Sequence, residues 1–139
     1  MRIVVDASVA IKWYVHEPHT AAASQLLDPR FELVVPDLLW AEFGNILWKK
    51  HLRGDVTAGA ARQIVGELKR VAMRTEPVAP LLGAAFEIAM RIRRTVYDST
   101  YLALAERLGC SFVTADEKLY NSIQADRIAA HALWVEDLP

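Results

Sequence analysis

A short apolar segment near the start of the chain constrains the fold more than any other feature of the sequence. The run Ile3–Val5 contains only β-branched residues, and it stops at Asp6. An apolar run without polar alternation is typical of a strand that is covered on both faces, as in a parallel sheet. Asp6 would then lie at the carboxyl end of this strand. Open α/β sheets bind their ligands at that edge, so the other acidic residues that reach it become the main question.

Helix caps and chain breakers divide the rest of the sequence into helices that alternate with strands. Ser8, Thr20 and Thr57 are expected to cap helices, and Gly109 is expected to end one. Hydrophobic periodicity predicts helices over residues 9–14, 20–27, 38–53, 57–73, 80–93 and 97–108. Strands are expected over residues 3–5, 31–35, 75–78, 111–114 and 132–135. Because strands separated by helices pair in parallel through right-handed crossovers, the predicted fold class is a three-layer α/β/α sandwich with a five-stranded parallel sheet.

The size and composition of the chain favour a cytoplasmic protein with one domain. Residues 1–139 fit a single domain, and no linker, repeat or low-complexity segment divides them. No apolar run reaches the ~18 residues of a membrane span, so no membrane partner is expected. Cys110 is the only cysteine, which excludes an internal disulfide and agrees with a reducing compartment. The net charge of -1 argues against a general nucleic-acid coat protein.

Four acidic residues are expected to meet at the carboxyl edge of the sheet. Asp6 follows the first strand and Asp116 follows the fourth, while Glu42 and Asp98 lie in the first turns of helices that begin near the same edge. Each acid alone has an ordinary structural explanation, since Asp98 and Asp116 suit helix N-termini and Glu42 suits a solvated helix face. Together, however, they would repel one another unless a cation lies between them. The sequence therefore predicts a metal site.

The chemistry of this acid set favours magnesium or manganese. The set offers oxygen ligands only, and the four histidines are scattered through the sequence without the spacing of a zinc site. Mg²⁺ or Mn²⁺ is therefore the expected cofactor. Such a site is typical of phosphodiester hydrolysis, because the metal generates a hydroxide nucleophile and stabilises negative charge on the phosphate. No glycine loop of the kind that binds nucleoside triphosphates occurs.

Four sequence blocks carry a resemblance that covers nearly the whole chain. The blocks are Asp6-Ala-Ser-Val-Ala-Ile-Lys-Trp, Leu39-Trp-Ala-Glu42-Phe-Gly-Asn45-Ile-Leu-Trp, Val96-Tyr-Asp98-Ser-Thr-Tyr-Leu-Ala-Leu-Ala-Glu and Phe112-Val-Thr114-Ala-Asp116-Glu-Lys118-Leu. In order, spacing and flanking residues the chain resembles PIN-domain ribonucleases, and in particular the VapC toxins of bacterial and archaeal toxin-antitoxin pairs. The resemblance implies an Mg²⁺-dependent endoribonuclease toxin with a cognate VapB-type antitoxin. Transfer RNA is a common substrate among similar toxins.

The resemblance also assigns a sheet order and individual roles. The implied strand order is 3-2-1-4-5, which places the first and fourth strands side by side. Positions that match the metal-binding and catalytic set of the family are Asp6, Glu42, Asp98 and Asp116. Thr114 matches a catalytic hydroxyl. Ser8 and Asn45 match residues that orient the metal ligands without binding the metal themselves.

A basic rim around the acidic crevice is the expected RNA-binding surface. Lys12 and Lys118 follow the two strand-end acids, and Arg91 and Arg94 shortly precede Asp98. Basic side chains in such positions can contact phosphates. The alternative for the arginines is structural, because arginine near a helix C-terminus is favourable without any ligand.

The number of aromatic residues predicts a surface that is covered by another chain. Four tryptophans and four tyrosines in a chain that is 53% hydrophobic exceed what a minimal core needs. Some of these side chains are expected to form a homodimer face or a groove for the antitoxin.

Other functions fit the sequence less well, and one of them stays open. A phosphoryl-aspartate hydrolase needs a second acid where Ser8 stands, and a receiver domain needs paired acids after the first strand. The remaining alternative is a metal-stabilised module of the same fold that binds RNA or a protein partner without cleaving.

Overall fold

Five parallel strands form one central sheet in the computed structural model, which describes residues 1–139. The strands are β1 (Arg2–Val5), β2 (Glu32–Pro36), β3 (Met73–Glu76), β4 (Ser111–Thr114) and β5 (Ala132–Trp134). Their order in the sheet is β3-β2-β1-β4-β5, and every neighbouring pair is parallel. The predicted fold class and strand order are therefore confirmed.

Seven α-helices connect the strands and cover the two faces of the sheet. They are α1 (Ala7–Ala10), α2 (Thr20–Ser24), α3 (Leu38–Leu52), α4 (Ala58–Leu68), α5 (Leu82–Ile92), α6 (Val96–Leu108) and α7 (Glu117–Ser122). Short 3₁₀ turns extend α1 and α2 and precede α5. Thr57 caps α4 by accepting a hydrogen bond from the amide of Ala60, as predicted. Gly109 ends α6 with a φ of +63°, a conformation that glycine adopts without strain. No helix is long and apolar enough to span a membrane.

Several predicted boundaries and caps are wrong, and the structure shows where these elements begin and end. Helix α4 ends at Leu68 instead of Met73, because the chain from Met73 onward already pairs with β2. Strand β3 consequently starts two residues earlier than expected. Helix α1 starts at Ala7, so Ser8 lies inside its first turn and does not cap it. Thr20 is likewise the first residue of α2, and His19 occupies the cap position in a left-handed conformation.

The centre of the sheet brings β1 and β4 side by side. Val5 of β1 lies opposite Val113 of β4, and both strands are fully buried at this point. Helix α6 packs against β1, β2 and β4, and its residues from Ser99 to Ala105 are all buried. Beyond the sheet edge, β1 continues into α1 and β4 continues into α7. The crevice at their carboxyl ends is the topological switch point at which α/β sheets bind ligands.

Candidate active site

Asp6 is held at the end of β1 by two hydroxyl groups. Its amide donates to the carbonyl of Val113 at 3.1 Å, which extends the pairing of β1 with β4 by one residue. The hydroxyls of Ser8 and Thr114 both donate to Oδ2 of Asp6, each at 2.7 Å. Only 8% of Asp6 is exposed. The carboxylate is therefore fixed in orientation, and its Oδ1 atom is left without a hydrogen-bond partner.

The same two hydroxyls tie the loop after β4 to the end of β1. The Ser8 hydroxyl accepts the amide of Ala115 at 3.1 Å, and the Thr114 hydroxyl accepts the amide of Asp116 at 3.0 Å. Each hydroxyl thus donates to Asp6 and accepts from the β4 loop. The hydroxyl groups of Ser8 and Thr114 therefore join the ends of β1 and β4 at the acidic crevice.

Burial raises the pKa of Asp6 to about 6. Desolvation is the largest cause, because the charged form loses its water inside the crevice. The hydrogen bonds from Thr114 and Ser8 act in the opposite direction, and the negative charges of Asp98 and Glu42 raise the pKa further. Asp6, Asp98 and Glu42 are therefore close enough to interact electrostatically.

Glu42 and Asp98 reach the crevice from the first turns of α3 and α6. Thr95 caps α6 by accepting the amide of Asp98 at 3.1 Å, which fixes where this acid projects. Burial raises the pKa of both carboxyl groups, and the charge of Asp98 raises that of Glu42 further. Glu42 Oε1 is buried without a hydrogen-bond partner. The hydroxyl of Tyr101, also buried and unpartnered, lies beside Glu42 and lowers its pKa without completing a well-formed hydrogen bond.

Asp116 has a structural role and an electrostatic one. Its Oδ1 atom caps α7 by accepting a hydrogen bond from the amide of Leu119 at 3.0 Å. This is the structural role expected of an acid at a helix N-terminus. Its Oδ2 atom lies 3.5 Å from the guanidinium of Arg94, and the same guanidinium nitrogen lies 3.4 Å from Oδ2 of Asp98. Arg94 therefore stands between two of the four acids.

The donor chemistry of the crevice fits a hard divalent cation, although the acids are more widely spaced than the sequence suggested. Carboxylate oxygens are the ligands that Mg²⁺ and Mn²⁺ prefer. Glu42 Oε1 is a buried acceptor without a hydrogen-bond donor, and a cation would satisfy it. No three acidic, histidine or cysteine side chains are grouped closely enough to hold one ion together. The presence of Arg94 between Asp98 and Asp116 is a physical reason for this spacing.

Three of the four predicted basic contacts are engaged within the protein, including Arg94, which pairs with Asp98 and Asp116. Lys12 is only 8% exposed, and its ammonium donates to Glu17 at 2.9 Å, so it is not part of a solvent-facing rim. Arg91 forms a two-point ion pair with Asp126. Lys118 is exposed just after Asp116, as a phosphate contact would require.

Asn45 lies beside Glu42, one helical turn further along α3. Both residues line a cleft of about 340 Å³ together with Tyr97, whose side chain is 60% exposed. Asn45 makes no hydrogen bond to any of the four acids. Its predicted supporting role therefore stays a prediction.

The contribution of Tyr101 to the site was not recognised from the sequence, and the role of Arg94 differs from the predicted one. Tyr101 has the spacing of an ordinary core residue of α6, and it is indeed 1% exposed, but its hydroxyl faces the acids. Burial and, after it, the negative charges of Asp6 and Glu42 raise the pKa of Tyr101, so its hydroxyl stays protonated at all physiological pH values. Arg94 was expected to contact RNA at the rim of the crevice, and it instead pairs with Asp98 and Asp116. The only available signal for this pairing was the position of Arg94 just before α6, four residues from Asp98.

A five-stranded parallel sheet of order 3-2-1-4-5 with an acidic crevice between β1 and β4 defines the class of this protein. The acids come from the ends of both strands and from the starts of α3 and α6. The chain belongs to the PIN domain family, whose model matches residues 3–122.

Relatives and solved structures support this membership. The chain is 35% identical over 127 residues to Ribonuclease VapC3 of Pyrobaculum aerophilum, a match that covers 90% of this chain and 97% of the relative. The crystal structure of PAE2754 from the same organism superposes with a TM-score of 0.73 at 26% identity, over 98% of this chain and 85% of the other. A toxin-antitoxin complex from Klebsiella pneumoniae has the same fold, with a TM-score of 0.62 at 9% identity over 98% and 99% of the two chains.

Proposed function

We propose that this chain is a divalent-metal-dependent endoribonuclease that acts as the toxin of a type II toxin-antitoxin pair. The observation that carries the proposal is the crevice between β1 and β4, where burial and, to a lesser extent, the charge of Asp98 raise the pKa of both Asp6 and Glu42. Such mutual repulsion is costly for folding and is typical of sites that hold a cation. Membership of the PIN domain family and the similarity to a VapC ribonuclease support RNA as the substrate.

The four acids would hold Mg²⁺ or Mn²⁺ at this edge. A cation bound there would lower the pKa of a water molecule and neutralise charge on the scissile phosphate. The hydroxyls of Ser8 and Thr114 fix the Asp6 carboxylate through Oδ2 and leave Oδ1 free for the ligand. Thr114 is therefore assigned a positioning role. Asp98 and Asp116 present further oxygens once Arg94 turns away from them.

Glu42 is suited to accept a proton during hydrolysis. Its Oε1 atom is buried and unpartnered, and burial raises its pKa above that of an ordinary glutamate. A carboxylate with a raised pKa is a stronger base and can hold a proton released by the attacking water. The adjacent Tyr101 hydroxyl remains protonated and can donate to the ionised carboxylate when the side chains adjust.

The direct test is an RNA cleavage assay in Mg²⁺ and in EDTA. The wild-type chain is expected to cleave single-stranded regions of RNA, including tRNA, only with the metal. Asp98→Asn should lower the rate by at least about 100-fold, in the range seen when one group that stabilises transition-state charge is removed. Asp55→Asn is the matched control, because Asp55 is an exposed turn residue whose carboxylate pairs with Arg53, away from the crevice. Cleavage that persists in EDTA, or at the wild-type rate in Asp98→Asn, would contradict the proposal.

A second function, binding RNA or a protein partner without cleavage, is favoured by one observation. Arg94 already neutralises Asp98 and Asp116, so the crevice is partly balanced without a metal. The cleavage assay separates the two functions when RNA binding is measured in parallel. Metal-dependent cleavage identifies an enzyme, whereas RNA binding without cleavage identifies the module.

Millimolar Mg²⁺ or Mn²⁺ is expected to raise the melting temperature of the protein. A cation that binds only the folded chain stabilises it by mass action, and here it also relieves repulsion among the acids. Differential scanning fluorimetry over a metal titration measures the shift. The titration raises the Mg²⁺ concentration in 10-fold increments up to about 10 mM. A melting temperature that stays at its value in EDTA throughout would count against a shared metal site.

The same metal titration of the variant Arg94→Ala tests whether the Arg94 guanidinium occupies the place of the cation. Because Arg94 competes for Asp98 and Asp116, its removal should lower the melting temperature in EDTA and shift the metal midpoint to lower concentration. Arg53→Ala serves as the control, since Arg53 is an exposed arginine paired with Asp55 away from the crevice. Equal metal midpoints in wild type and Arg94→Ala would show that the guanidinium does not occupy the place of the cation.

Apolar side chains on the surface support the proposed partners. Leu82, Phe86 and Met90 are each more than half exposed and follow one another at four-residue intervals along α5. Trp48 and Leu52 are exposed on α3, beside a groove formed with α4. Two separate apolar faces suit a homodimer contact and the docking of a VapB-type antitoxin.

A further inference from the structure

A second cleft, lined by aromatic rings, opens one strand away from the acidic crevice. It has a volume of about 340 Å³ and is lined by His19, Glu117, Tyr120, Asn121 and Trp134. The three rings are all half-buried, so each offers part of its surface to solvent. None of the five residues takes part in the acidic crevice described above.

The topology places this cleft next to the proposed reaction centre. Trp134 of β5 lies opposite Thr114 of β4 in the sheet register, so the tryptophan shares the carboxyl edge with the hydroxyl that holds Asp6. Glu117 directly follows Asp116 and starts α7. Tyr120 and Asn121 follow it by three and four residues, a spacing that puts all three on one face of a helix.

The rings form a preorganised arrangement. His19 contacts Trp134 edge to face, with ring centroids 5.3 Å apart and an interplanar angle of 78°. The Tyr120 ring also contacts Trp134, with ring centroids 5.7 Å apart and an interplanar angle of 49°. His19 has a φ of +70°, a left-handed conformation that is uncommon outside glycine, and its ring is paired with Glu136. Local backbone strain of this kind tends to occur at functional positions.

We propose that this cleft binds one unpaired nucleobase of the RNA strand, next to the phosphate that is cleaved. This inference rests on the proposed ribonuclease function and adds a recognition site to it. Unpaired bases are recognised by stacking on aromatic and histidine rings and by hydrogen bonds to their edges. Trp134 and Tyr120 supply the stacking surfaces, and Asn121 supplies both a donor and an acceptor.

The charge of the cleft excludes a phosphate as its occupant. Glu117 lines the cleft, Glu136 adjoins it through His19, and no lysine or arginine is among the lining residues. A phosphate would be repelled, whereas a carboxylate accepts hydrogen bonds from the amino and imino groups of a base. The phosphates on either side of the base would instead lie towards the acidic crevice and Lys118.

The test measures RNA binding by the full-length chain in an Asp98→Asn background, which prevents cleavage. Fluorescence anisotropy of a labelled single-stranded RNA decamer in Mg²⁺ gives the dissociation constant. Trp134→Leu and Tyr120→Leu should each raise it by about 5- to 150-fold, the range for loss of one base–aromatic stack. Trp134→Phe should retain most of the affinity. Leu27→Ala is the control, because Leu27 is an exposed apolar residue outside the cleft, and this variant should stay within about twofold of the parent.

RNA decamers in which one nucleotide at a time lacks its base distinguish loss of base stacking from a general effect of the substitution on protein structure. One abasic position is expected to weaken binding by the parent chain and to have no further effect in Trp134→Leu. If Trp134→Leu does not fold, the same comparison is made with Asn121→Ala, an exposed residue of the cleft. Equal abasic effects in the parent and in the cleft variants would overturn the inference.

Failure of the inference is distinguishable from failure of the proposed function. If the Asp98→Asn parent does not bind RNA and the wild-type chain does not cleave it, the ribonuclease proposal fails and the cleft has no RNA to recognise. If the wild-type chain cleaves RNA and the cleft variants bind it as the parent does, only the nucleobase site is wrong.

Discussion

Replacing Asp6 with asparagine is expected to abolish RNA cleavage and to make the metal-free protein more stable. Asparagine has nearly the same volume, and its side-chain oxygen can accept the hydrogen bonds that Ser8 and Thr114 donate to Oδ2. The amide nitrogen would then face Asp98 and Glu42 as a donor in place of a repelling charge. Cleavage should fall by at least about 100-fold, because the charged oxygen proposed to hold the cation is gone.

The gain in stability depends on pH in a defined direction. The pKa of Asp6 is about 6 in the folded protein and 3.8 in the reference state, so ionised Asp6 destabilises the fold above pH 6. That penalty shrinks as the pH falls through 6 and disappears below about 3.8. Asp6→Asn removes a penalty of about 1–3 kcal/mol near neutral pH. The variant should therefore melt several degrees higher at pH 7.5 and match the wild type near pH 3.5.

Thermal melting in EDTA from pH 3.5 to 8 measures the effect, with Asp126→Asn as the control of opposite sign. The hydrogen bond from Arg91 lowers the pKa of Asp126, so this carboxylate stabilises the fold once it is ionised. Asp126→Asn should lose stability at neutral pH. An Asp6→Asn variant that melts below the wild type at pH 7.5, or that still cleaves RNA at the wild-type rate, would show that Asp6 does not bear the charge assigned to it.

The fold was predictable because its strongest sequence signals are local and agree with one another. Ile3–Val5 and Ser111–Thr114 are short apolar strands that end in polar residues, and β4 has the predicted bounds. Caps at Thr57 and Gly109 place two helix ends correctly. The boundary between α4 and β3 was not predictable, because pairing of Met73 with β2 is a tertiary contact that overrides helical periodicity.

The candidate site was only partly predictable, and the difference lies in what the side chains contact. The four acids could be named because each follows a strand or begins a helix at the same edge of the sheet. The burial of Lys12 depends on Glu17, which also pairs with Lys50 from a distant helix. The aromatic cleft joins His19, Tyr120 and Trp134 from three separate segments. No spacing in the sequence reveals such long-range contacts.

Cleavage is expected to leave a 5′-phosphate on one fragment and a 3′-hydroxyl on the other. In the proposed mechanism water attacks the phosphate, and the 2′-oxygen of the RNA takes no part. Attack by the 2′-oxygen requires a base and an acid tuned near neutral pH, most often histidine. None of the histidines hydrogen-bonds to the four acids: His51 contacts the carbonyl of Val56, His131 contacts that of Cys110, and His19 contacts Glu136.

A substrate with a 2′-O-methyl group at the scissile nucleotide distinguishes the two reactions. Such an RNA cannot be cleaved by its own 2′-oxygen, but the present crevice should still cleave it when the strand binds. Mass analysis of end-labelled fragments identifies the termini directly, and the unmodified RNA of the same sequence is the control. A 2′,3′-cyclic phosphate product would exclude attack by water even in a confirmed ribonuclease. After Glu42 accepts the proton of the attacking water, it can donate that proton to the departing 3′-oxygen. Glu42→Gln should therefore slow cleavage without changing the termini.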